Sequence, residues 1–126
     1  MPRCEGQAIV ARLSTHVLDT SRGVPAQGLV IELHILRDAD RQRLATATTN
    51  AEGRTDAPLL SAERLETGIY EITFHATDYF RRAGVAIADP PFLGDIVVRV
   101  GIADPEGHYH VPLLLSPYGY STYRGT

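Results

Sequence analysis

Three histidines and one arginine carry most of the chemistry this sequence could perform. His108 and His110 stand two residues apart in the run HYHVPLLLSPYGYSTYRGT, which closes on Tyr123, Arg124, Gly125 and Thr126. His16 lies in LSTHVLD and Arg54 in NAEGRTD. Imidazole exchanges protons near neutrality, so such a set suits general acid/base work. A fixed guanidinium suits the stabilisation of negative charge developing on a carbonyl oxygen. Two His at i and i+2 on one strand face can also converge on a metal. A catalytic zinc usually takes three protein ligands, however, and no HExxH-type spacing supplies the third. Each residue has a plainer reading as well. An isolated HxH is most often a pair of surface or packing histidines, His16 alone is more often structural than catalytic, and an Arg after a Glu-Gly turn is usually a solvated side chain. His34 and His75 are read as surface or packing residues.

The elements that must position these groups are mostly strands. From Ala8 to Val17 the residues Leu13, Thr15 and Val17 share a core face, while Arg12, Ser14 and His16 share a more polar one. Asp19 to Gly28 reads as a loop, Gly28 to Arg37 as a second strand, and Leu44 to Thr49 as a short third. The turn Asn50 to Gly53 delivers Arg54. Gly68 to Ala76 is a strand with Tyr70, Ile72 and Phe74 on one face, and Thr77 to Gly84 fits a short helix with Thr77 as N-cap. Strands follow at Asp95 to Ile102, His108 to Leu115 and Tyr118 to Tyr123. In the strand from His108, the residues His108, His110, Pro112 and Leu114 share one face, and Tyr109, Val111, Leu113 and Leu115 the core face. Seven or eight short strands at this spacing predict an all-β sandwich. The final tetrapeptide follows a strand directly, which suggests that the chain end forms part of a site.

A chain of 126 residues predicts one domain, with residues 1–7 as a frayed terminus. All 12 basic residues are Arg, so no Lys can serve as nucleophile or Schiff base. The single Cys, Cys4, excludes an intrachain disulfide framework and has no His or Lys beside it to activate it. The net charge of −3 argues against nucleic acid or an anionic membrane as partner. No apolar stretch is long enough to span a membrane and the N-terminus lacks a signal-peptide core, so a cytoplasmic location is expected.

The runs LSTHVLDTSRGVPAQGLVIEL, TTNAEGRTDAPLL and HYHVPLLLSPYGYSTYRGT together resemble the 5-hydroxyisourate hydrolases, the transthyretin-related proteins, from about Leu13 to Thr126. The resemblance implies a transthyretin-like β-sandwich of two four-stranded sheets with one short helix, the latter matched by GIYEITFHATDYFRRAG. It implies a homotetramer, a dimer of dimers, with active sites where the dimers meet. The implied reaction is hydrolysis of 5-hydroxyisourate to 2-oxo-4-hydroxy-4-carboxy-5-ureidoimidazoline in urate and purine catabolism, with no cofactor and no metal. The family's catalytic His, Arg and His fall on His16, Arg54 and His110. Its C-terminal Tyr-Arg-Gly-Ser falls on Tyr123, Arg124, Gly125 and Thr126 as substrate-binding residues, with His108 in support. Thr126 replaces the usual Ser and keeps the hydroxyl. The alternative within the same family is a carrier of small aromatic ligands. In that branch other residue types stand at the catalytic positions and a tail follows the final strand, so His16, Arg54, His110 and an end at Thr126 favour the enzyme.

Overall fold

The computed structural model describes residues 10–126. Cys4, the expected frayed residues 1–7 and the start of the first strand at Ala8 lie outside the described residues. Eight strands and one helix follow in order: β1 (Arg12–Asp19), β2 (Val24–Pro25), β3 (Val30–Arg37), β4 (Asp40–Thr48), β5 (Gly68–Phe74), α1 (Ala76–Arg82), β6 (Ile96–Ile102), β7 (His108–Ser116) and β8 (Gly119–Thr122). They form two four-stranded sheets, β2-β1-β7-β8 and β4-β3-β5-β6. The expected all-β sandwich of two four-stranded sheets with one short helix is therefore the fold observed. Its β1–β7 pair is parallel and every other pair is antiparallel.

The alternation read in the sequence sets the layers. Leu13 and Val17 of β1, Leu113 and Leu115 of β7, Ile31 and Leu33 of β3, and Tyr70, Ile72 and Phe74 of β5 are wholly buried between the sheets. Each such side chain stabilises the fold by roughly 1.5–3 kcal/mol. The opposite residues of β1 and β7 therefore face outward together, and that outward face carries the histidines.

Several boundaries differ from expectation. β4 begins at Asp40 rather than Leu44: its first four residues, Asp40 to Arg43, are exposed and polar, yet they pair with β3 across a tight turn at Asp38. Two residues of the predicted loop, Val24 and Pro25, pair with the end of β1. The helix starts one residue early, so Thr77 is not its N-cap. His75 takes that place without a side-chain cap bond, its backbone N–H donating to Val30 O and its Nδ1 2.9 Å from Asp95 Oδ2. At the end of β1, buried Asp19 accepts hydrogen bonds from Ser21 Oγ (2.6 Å), Arg22 Nε (3.0 Å) and Tyr79 Oη (2.7 Å). These bonds tie the strand that carries His16 to α1. No helix among the described residues is long and apolar enough to cross a membrane.

Candidate active site

The parallel register of β1 and β7 builds the floor of the site. It sets Arg12 beside His108, Ser14 beside His110 and His16 beside Pro112. All six positions belong to the outward face. Ser14 Oγ lies 2.8 Å from His110 Nδ1, joining two residues 96 positions apart.

The second wall is the turn after β4, and its shape follows from two residues. Asn50 Oδ1 accepts from the backbone N–H groups of Glu52 (2.9 Å) and Arg54 (3.2 Å), the side chain mimicking a backbone turn. Gly53 adopts φ +78°, and a Cβ there would collide with Val17 O of β1, so only glycine fits. Val17 N–H donates to Gly53 O at 2.8 Å, pinning the turn against β1. His16 and Arg54 thereby become partners in an antiparallel bridge. His16 Nε2 lies 2.8 Å from Glu52 O. A carbonyl oxygen only accepts, so Nε2 carries the hydrogen and, in the neutral ring, Nδ1 keeps the lone pair.

The third wall is the chain end. Gly125 N–H donates to His110 O at 2.7 Å, laying the tetrapeptide along β7. A Cβ on Gly125 would come within 2.8 Å of His110 Cδ2 and 3.1 Å of Pro112 Cγ, so the backbone lies directly on the imidazole edge. Arg124 turns back instead: its Nη2 donates to His108 O at 3.1 Å and its guanidinium carbon sits 4.3 Å from the centre of the Tyr109 ring. Tyr123 is exposed.

These walls enclose two hollows. The larger, about 330 Å³, is lined by Arg12, Ser14, Arg54, Asp56, His108 and neighbouring residues. The smaller, about 280 Å³, is lined by His16, Pro112, Leu114, Tyr123, Arg124 and Gly125 among others. His110 and Thr126 line both. The structure thus brings His16, Arg54, His110 and Thr126 to one place: Arg54 lines the larger hollow, His16 the smaller, and His110 and Thr126 both. His108 borders the larger hollow, with its Nε2 buried and unpaired.

The electrostatics favour neutral rings at His108 and His110. Burial holds His110 below the ordinary histidine range, helped by the positive charge of Arg54 and by His108, His16 and Arg12. Burial likewise lowers His108, with Arg12 and Arg124 adding to it. A neutral ring beside a guanidinium can accept a proton while the cation stabilises an oxyanion. Among the described residues no three His, Cys, Asp or Glu side chains gather as a metal-binding group. Sequence reasoning gave Ser14, Asn50 and Gly53 no role of their own: the turn NAEG was read as delivering Arg54, and Ser14 only as a polar residue on the face of His16.

Comparison with known proteins places the chain in a family. Residues 13–125 match the HIUase/Transthyretin family. The 5-hydroxyisourate hydrolase 2 of Rhizobium meliloti strain 1021 is 57% identical over 115 residues, covering 91% of this chain and 96% of that protein. The crystal structure of an (S)-allantoin synthase superposes with a TM-score of 0.87 at 41% identity, over 93% of this chain; the chain spans only 44% of that protein's length. Sea bream transthyretin in complex with thyroxine superposes with a TM-score of 0.79 at 29% identity, covering 90% of this chain and 94% of that one. The chain belongs to the HIUase/transthyretin family.

Proposed function

We propose that this protein hydrolyses 5-hydroxyisourate, opening its six-membered ring to 2-oxo-4-hydroxy-4-carboxy-5-ureidoimidazoline in urate and purine catabolism. The observation that carries the reading is the meeting of His16, Arg54 and His110 at the junction of two hollows. The named activity of the Rhizobium meliloti relative supports it.

In this reading neutral His110 takes a proton from water as the water oxygen attacks the ring carbonyl. Arg54 stabilises the oxyanion that forms. The ring C–N bond then breaks, the leaving nitrogen takes the proton back from His110, and the new carboxyl group, still part of the one ring-opened product, releases its remaining proton to solvent. His16 is held by Glu52 O, and its free Nδ1 accepts a hydrogen bond from the water or a substrate N–H. General base help is typically worth ~10²–10⁴-fold, and one oxyanion donor roughly 2.7–4 kcal/mol. Tyr123, Gly125 and Thr126 border the substrate, and Arg124 orders that segment by its stack on Tyr109. Both hollows open on the outer face of the β1–β7 sheet, and we place the dimer–dimer contact of a homotetramer over them.

The test is the decay of freshly generated 5-hydroxyisourate, followed by ultraviolet absorbance with and without the purified protein. Acceleration that is lost in His16→Ala supports the hydrolase. No acceleration by a folded protein turns the reading to a carrier, which thyroxine titration then examines.

A further inference from the structure

We propose that Ser14 is a positioning residue that holds His110 in the tautomer bearing its proton on Nδ1, with Nε2 left as the proton acceptor. The inference rests on the hydrolase reading and adds a residue to that site. The bond is direct, 2.8 Å from Ser14 Oγ to His110 Nδ1. The parallel register of β1 and β7 makes the two residues neighbours on one outward face. Both belong to regular strands, so neither can drift without breaking the ladder.

A neutral imidazole has one donor and one acceptor nitrogen, and a serine hydroxyl can play either part. The surroundings decide between the two arrangements. Arg12 and Arg54 line the larger hollow together with Ser14 and His110. A positive field favours the tautomer that turns a lone pair toward it and disfavours one that turns an N–H toward it. Nδ1 is engaged by Ser14, and Nε2 is the nitrogen left for the hollows that His110 lines. The Gly125 backbone lies along the Cδ2 edge of the ring, opposite the Nδ1 edge that meets Ser14. The ring therefore sits between serine on one edge and glycine on the other, and the serine bond fixes the tautomer. Without the hydroxyl, the ring would exchange freely between its two tautomers and spend only part of its time as a base.

The test compares wild type, Ser14→Ala and Ser14→Thr by steady-state kinetics on 5-hydroxyisourate and by ¹⁵N NMR of the His110 ring. In wild type, Nδ1 is expected to give the protonated-nitrogen signal and Nε2 the bare one. In Ser14→Ala the two signals converge, and kcat falls roughly 10–100-fold while KM changes little. Ser14→Thr keeps a hydroxyl and a good strand former, and it restores both the signal pattern and most of kcat. A wild-type ring protonated on Nε2 overturns the inference, as does Ser14→Ala with wild-type kcat or with an unchanged Nδ1–H signal. A wild-type protein without hydrolase activity refutes the proposed function instead, and the ring signals still read the Ser14 bond.

Discussion

The sharpest test of how the chain end serves the site is Gly125→Ala. Gly125 does not need glycine for its backbone angles, since it is absent from the positive-φ glycines. It needs glycine for room. An added Cβ would sit 2.8 Å from His110 Cδ2, 3.1 Å from Pro112 Cγ and 3.4 Å from Pro112 Cδ. Carbon atoms pack at about 3.5–4.0 Å, so the methyl must retreat by roughly 0.7–1.2 Å. Pro112 is a rigid, buried ring within β7, and His110 is tethered to Ser14, so the exposed chain end gives way. The bond from Gly125 N–H to His110 O, now 2.7 Å, then opens. One such bond at an exposed end contributes about 0.5–1.5 kcal/mol, a shift of only roughly 2–8 °C in Tm. The effect on rate is larger, because a displacement of about 1 Å among groups that position a reactant can cost ~10²-fold. The expected result is a folded protein with kcat/KM on 5-hydroxyisourate reduced about 100-fold. Wild-type kcat/KM in a folded Gly125→Ala protein would refute the claim that the backbone of Gly125 shapes the site.

Three further predictions concern the turn, the cation and the histidines. Gly53→Ala meets both a left-handed φ, worth roughly 1–2 kcal/mol, and a collision with Val17 O; it should lower Tm and displace Arg54 and the carbonyl that holds His16. Gly23→Ala, with φ +70° but open space around it, is the control, expected to lose stability and keep activity. Arg54→Gln should lower the kcat/KM plateau by ~10²–10³ and move its acidic limb to higher pH, since the guanidinium helps to hold His110 unprotonated. Burial is the larger cause, so the limb should stay below the ordinary histidine value; an unmoved limb would refute the coupling. Stability should fall with pH. Burial lowers His34, His108 and His110, with nearby Arg adding to each. As pH drops below roughly 6.5 the unfolded chain binds protons that the folded one resists. Their contribution is thus complete above that value and is lost as pH falls toward the lowered folded values. Thermal melts between about pH 7.5 and pH 5 should show the decline, made shallower by His34→Leu; a flat Tm across that range would contradict it.

What the sequence made legible depended on how local the relevant geometry is. Period-2 alternation placed His108 and His110 on one face of β7 and His16 on the polar face of β1, because neighbours along a strand alternate whatever surrounds them. The same rule put His34 on the face opposite Leu33 and Ile35 but could not choose between surface and packing; it is a packing residue, only 7% exposed, with an unpaired Nδ1. Charge misled at Asp40 to Arg43, where solvated side chains look like loop but the backbone needs only a partner strand to form one. Which residue lies beside which across a sheet is a matter of register, and register between β1 and β7 is decided by packing over some 96 positions of chain. Ser14 was therefore visible as a polar residue on the right face and invisible as the neighbour of His110. Arg124, matched to a family motif as a binding residue, lines the smaller hollow and also engages Tyr109 and His108 O, contacts the motif does not show. The motif can name the residues gathered at such a site. Dividing them into those that meet the reacting atoms and those that hold the others in place requires the contacts themselves, which point to Ser14, Asn50 and Gly53 for the second group.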